Sequence, residues 1–97
     1  MITGKVKSYL GFARKAGKLC AGYNTCIYRM KDIFLLILAE EVSDNSRDKL
    51  ISAAEKAGAA HIVYGHGDEL SAACGMEGRN IFGVEDKGLA EAILREI

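Results

Sequence analysis

Val6, Leu10 and Ala13 recur at three- and four-residue steps, with Tyr9 and Ala16 beside them, and predict an amphipathic helix over about residues 3–16. Gly17 is a natural stop for it. The short apolar stretch Leu19–Ala21 then predicts a strand, and Gly22 separates it from a second short helix over about Asn24 to Met30. Asn24 fits its cap or first turn. Ile33–Ala39 is an unbroken apolar run of strand length, as expected of a central strand covered on both faces. Ser43, Asp44 and Asn45 offer caps for a third helix that reaches Lys56 and closes at Gly58. His61–Tyr64 predicts a strand, Gly67-Asp68 opens a fourth helix ending near Cys74-Gly75, Asn80–Val84 predicts the last strand, and Asp86 caps a final helix. This alternation predicts an α/β fold: helices layered on both faces of a four-stranded, mostly parallel or mixed sheet, a three-layer α-β-α sandwich.

The 97 residues suffice for one domain with a hydrophobic core that needs neither disulfide nor metal. One domain over 1–97 is expected. With no proline and no low-complexity run, nothing resembles a linker. The longest apolar run, Ile33–Ala39, is far short of the roughly 18–20 residues that a spanning helix needs, so no membrane segment is expected. The start lacks the apolar stretch of a secretory signal, and the expected location is the cytosol. Cys20, Cys26 and Cys74 form no close-spaced motif and are odd in number. They read as buried, reduced packing residues, and neither a metal nor another cofactor is indicated.

Charge changes the picture more than composition does. Net charge is zero, yet residues 1–31 hold seven cations (Lys5, Lys7, Arg14, Lys15, Lys18, Arg29, Lys31) and no acid, while the rest holds six basic against thirteen acidic residues. A basic end on an acidic domain is an electrostatic address for phosphate, or else a solvated basic face balanced across the fold. Two candidate catalytic signals are weak. Gly65-His66-Gly67-Asp68-Glu69-Leu70 follows a strand, but Leu70 replaces the third glycine of a dinucleotide loop and the two acids would repel a pyrophosphate. Glu40-Glu41 at a strand end lacks a partner system for acid–base work, so an enzyme is not the expected reading. Lys18–Arg29 carries more: Gly22 permits close backbone approach, exposed N–H groups at the helix start suit phosphate, and Asn24 can pair with a base edge. A capped helix with basic neighbours has the same residues.

Taken in order, Leu10-Gly-Phe-Ala-Arg-Lys-Ala-Gly-Lys-Leu19, Gly22-Tyr-Asn24, Leu35-Leu-Ile-Leu-Ala-Glu-Glu41, Gly67-Asp-Glu-Leu-Ser-Ala-Ala-Cys-Gly75 and Val84-Glu-Asp-Lys-Gly-Leu89 resemble the kink-turn-binding ribosomal family. That family includes the large-subunit proteins L-seven-Ae and L-thirty-e and a small bacterial YlxQ-like branch. The resemblance implies a monomeric α-β-α sandwich that binds structured RNA, ribosomal or other, bent sharply at tandem sheared G·A pairs. It implies that Gly22 and Asn24 match the glycine and the base-reading Asn, and that Val84–Leu89, with Val84 and Lys87, shelters a flipped-out nucleotide. Arg14, Lys15, Lys18 and Arg29 would supply phosphate contacts, with Tyr23, Thr25, Tyr28 and Glu40 completing the RNA-binding set. Thr25 and Tyr28 stand where the family often has an acid and a lysine. These two departures leave open a protein-interaction module on the same fold.

Overall fold

The computed structural model describes residues 2–97. Five helices and four strands alternate: α1 Gly4–Lys15, β1 Leu19–Ala21, α2 Tyr23–Tyr28, β2 Leu35–Leu38, α3 Asp44–Ala57, β3 Ala60–Val63, α4 Gly67–Cys74, β4 Ile81–Val84 and α5 Lys87–Arg95. A 3-10 turn over Met30–Asp32, absent from the sequence-based expectation, ends α2 early and delays β2 to Leu35. Caps explain most helix starts. The side chains of Thr3, Ser43 and Asp86 accept the backbone N–H of Val6, Ser46 and Leu89, each satisfying a donor that the first helical turn leaves unpaired. Gly58 and Gly75 close α3 and α4 in the left-handed conformation.

The strands form one mixed sheet in the order β1-β4-β2-β3, with β2 and β3 parallel and β4 antiparallel to both β1 and β2. Packing of α1 against α4 and α5, and of α3 against α2, makes the three layers expected from the alternation. All four residues of β2 and of β4 are buried, which accounts for the unbroken apolar character of both central strands. Phe82, Leu35, Leu36, Ile37 and Leu38 are fully buried between helices, and burial of each contributes about 1.5–3 kcal/mol. Glycine is required in the middle of β4: a Cβ on Gly83 would collide with Ile33 and lie 2.9 Å from Cys20 Sγ. The three cysteines are free and buried. Cys20 and Cys26 thiols meet at 3.8 Å. Among the described residues no helix is long and apolar enough to cross a membrane.

Candidate nucleic-acid interface

The sheet has two ends that present different side chains, and strand direction decides which residues belong to each. β1 and its flanking residues carry the chain from Lys18 to Gly22, about 13 Å at the usual rise. Because β4 is antiparallel to β1, its start lies beside Gly22 and its finish beside Lys18. The Gly22 N–H donates to Ile81 O at 2.9 Å, whereas the Glu85 N–H donates to Lys18 O at 2.8 Å. Ala39 N–H donates to Asn80 O, so Glu40 also follows the sheet at the Gly22 end.

At the Gly22 end the chain turns sharply into α2. Gly22 has φ +97°, a conformation that favours glycine, and Cys26 N–H makes the first helical bond back to its carbonyl. Asn24 and Thr25 are exposed on the first turn, Tyr23 is half-buried against the core, and Tyr28, one turn beyond Asn24, is 89% exposed. No side chain caps this helix start, and no acid occupies its first turn. The guanidinium of Arg79 lies over it, 3.1 Å from where a Cβ on Gly22 would sit.

Arg79 is the residue that sequence reasoning missed. It belongs to the loop between α4 and β4, whose backbone is pinned by buried Ser71: the Ser71 hydroxyl donates to Arg79 O and accepts the Arg79 N–H at 3.1 Å. Gly75 and Gly78, both at positive φ, let the loop fold back onto that serine. A lone cation between Gly78 and Asn80 in an acidic half of the chain was the available signal. Arg14 joins it across a groove of about 380 Å³ lined also by Ala21, Gly75, Met76 and Glu77. Its guanidinium donates to the carbonyls of Cys74 (3.2 Å) and Gly75 (2.9 Å), tying α1 to the end of α4.

Other expected site residues are elsewhere. Lys18 and Arg29 lie at the opposite end of the sheet, because β1 separates Lys18 from Gly22 and α2 runs back from Gly22 to Arg29. There the Arg29 Nε donates to Glu85 Oε2 at 2.6 Å, and this hydrogen bond raises the arginine above its ordinary pKa. The Val84–Leu89 segment is also at that end. Val84 is fully buried between β1 and β2, so its side chain cannot meet a ligand, while Lys87 is exposed in the first turn of α5. The single basic platform expected around Gly22 is thus divided in two. Lys15 is exposed in the last turn of α1, where it lines a shallow hollow with Ser8, Gly11 and Phe12.

The acidic pair separates into two roles. Glu41 Oε2 accepts the Gly67 N–H at 2.8 Å and caps α4, which is why a Cβ on Gly67 would strike that carboxylate. Glu40 remains exposed, with His66 Nε2 at 3.7 Å. The glycine pair around His66 therefore serves a turn packed on Ile2 and Leu70 and a helix start that Glu41 already occupies.

Comparison with known proteins covers the whole fold. A protein of unknown function from Bacillus halodurans superposes with a TM-score of 0.89 at 24% identity, over 96% of each chain. The Giardia lamblia 15.5kD RNA binding protein superposes with a TM-score of 0.76 at 17% identity, over 94% of this chain and 83% of that one. No curated protein matches the chain. The profile of the ribosomal protein L7Ae/L30e/S12e/Gadd45 family matches residues 4–93, from the first turn of α1 into the last turn of α5. The chain belongs to the ribosomal protein L7Ae/L30e/S12e/Gadd45 family.

Proposed function

We propose that this chain binds structured RNA, and that its preferred target is a duplex kinked at sheared G·A pairs. The observation that carries the reading is the meeting of Gly22, exposed Asn24 and Thr25, and the Arg79 guanidinium at one end of the sheet. An A-form duplex hides its base edges in a deep, narrow major groove, which a kink opens. A short helix tip with no acid in its first turn fits such an opening. Asn24 offers a paired donor and acceptor to a purine edge, Thr25 a hydroxyl, and Tyr28 a ring for stacking, while Arg79 and Arg14 supply cations for phosphate. Family membership, and the RNA binding named for the Giardia neighbour, support the same reading. It takes the protein as a cytosolic monomer acting on ribosomal or other structured RNA.

A gel-shift series with a kinked RNA, the same RNA lacking its G·A pairs and a straight duplex tests this. The kinked RNA is expected to bind tightest. Asn24→Ala should cost about 1–3 kcal/mol for it, roughly a five- to 150-fold loss. Equal affinity of the wild-type protein for kinked and straight RNA would refute the proposal. The second reading, a protein-binding module, has Ile27 and Tyr28 in its favour, adjacent and exposed on α2. It requires a partner held without salt dependence.

A further inference from the structure

We infer that the opposite end of the sheet is a second binding site, which takes a short single-stranded RNA segment. The cleft there has a volume of about 360 Å³ and is lined by Lys18, Arg29, Lys31, Asp32, Phe34 and Glu85. Three features give it that chemistry. Lys18 and Lys31 are exposed and make no ion pair among the described residues, so both ammonium groups are available to phosphate. Arg29 is held differently. Glu85, whose side chain is only 6% exposed, engages its Nε and fixes the guanidinium at the cleft wall, leaving the terminal nitrogens as donors on a side chain 44% exposed. Phe34 is 46% exposed at the entrance to β2 and lines the cleft beside these cations, so part of its ring is open to a ligand. Cations beside an exposed aromatic ring are the elements of a single-strand site: the backbone follows the charges, and a base stacks on the ring without regard to its identity.

Glu85 offsets Arg29 and Asp32 tempers the two lysines, so the electrostatic contribution of the cleft is that of one or two phosphates rather than a long track. At about −0.7 in log affinity per log salt for each phosphate on a single strand, a slope of about −0.7 to −1.4 follows. The two sites are also close together. α2 runs from one to the other, a path of about 9 Å along six residues, with exposed Tyr28 near its end. A single-stranded tail added to a kinked duplex at Asn24 would have Tyr28 and then the cleft within reach. The cleft stands on its own residues, however, and does not depend on the reading of the Gly22 end.

The test is fluorescence anisotropy with an unstructured oligouridylate of about ten nucleotides, across a salt series, with thermal melts confirming that each variant is folded. The wild type should bind weakly with the slope given above. Lys18→Ala/Lys31→Ala should lose about five- to tenfold in affinity and most of the salt slope. Phe34→Ala should lose roughly fivefold or more with the slope kept, because it removes stacking and not charge. Asn24→Ala should leave this oligonucleotide's affinity where it was. Absence of oligonucleotide binding, or binding that Asn24→Ala alone removes while Lys18→Ala/Lys31→Ala retains it, overturns the second site. Failure of the kinked-RNA series leaves this result standing, so the two proposals fail separately.

Discussion

The two ends of the sheet carry cations in different ways. At the Gly22 end, Arg79 is presented by a loop, and its position depends on backbone hydrogen bonds to one buried serine. At the Lys18 end, Arg29 is presented by a helix terminus and its position depends on a carboxylate. The first arrangement leaves the guanidinium charge uncompensated by any ion pair among the described residues, while the second sets a negative charge against it. A loop held by neutral groups thus offers its full charge to a ligand, and an arginine held by an acid offers geometry with less charge. This difference suits base reading combined with phosphate neutralisation at one end, and stacking with modest electrostatics at the other.

The strongest way to break the comparison is to disturb the strand that the two ends share. Gly83→Ala forces a methyl group against Ile33 and Cys20, and overpacking of that kind costs about 1–3 kcal/mol. Chemical denaturation should show the loss, and both RNA activities should weaken together. A more selective disturbance is Ser71→Ala. It strips the Arg79 N–H and C=O of their partner in a part-buried site, at a cost of about 1–3 kcal/mol, and frees the loop. Affinity for kinked RNA should then fall severalfold while oligouridylate binding holds. If both fall alike, the ends are not independent.

Much of the fold was legible because its signals are local. The spacing of Val6, Leu10 and Ala13, the caps at Ser43 and Asp86, and the unbroken run before Glu40 are written within one or two helical turns. The 3-10 turn was not, since Met30 and Ile33 also satisfy a continuing helix and an early strand, and their burial in the core selects the turn. The site was half legible. Gly22 and Asn24 stand where a strand passes into a helix, a local event. Lys18 is held from them by the length of β1, and whether Val84 or Arg79 joins them depends on the direction in which β4 pairs with β1, which nothing within either strand states. An antiparallel pairing brings the start of β4 to Gly22, and with it Arg79 in place of Val84 and Lys87.

Cys74 reports on the Gly22 end from beneath. Its carbonyl receives Arg14, and burial raises its thiol from 9.0 to about 12, against a smaller opposing effect of the Arg14 charge. A thiol whose folded pKa is raised stays neutral in the native state while the unfolded chain releases the proton. The associated stability is complete below about pH 9 and is lost as pH rises toward 12. By pH 10 the loss should be about 1 kcal/mol. Denaturant midpoints of the wild type and Cys74→Ala, compared from pH 8 to pH 10, isolate it from other titrating groups. Equal pH dependence in the two proteins would mean that the end of α4 opens to water and that the groove beside Arg14 is loosely held.

The smallest expected effect sharpens the contrast at the other end. Glu85→Gln keeps an oxygen to accept the Arg29 Nε–H, and the backbone bond from residue 85 to Lys18 O does not involve the side chain. Geometry is therefore preserved while one negative charge leaves the cleft. Oligouridylate affinity should rise, by less than Lys18→Ala/Lys31→Ala lowers it, and the salt slope should steepen, because Arg29 then acts as an uncompensated cation like Arg79. Kinked-RNA affinity, read by the same anisotropy assay, should not change. A rise in both would show that one RNA contacts both ends at once, and the loop-held and acid-held arginines would then be parts of a single continuous surface.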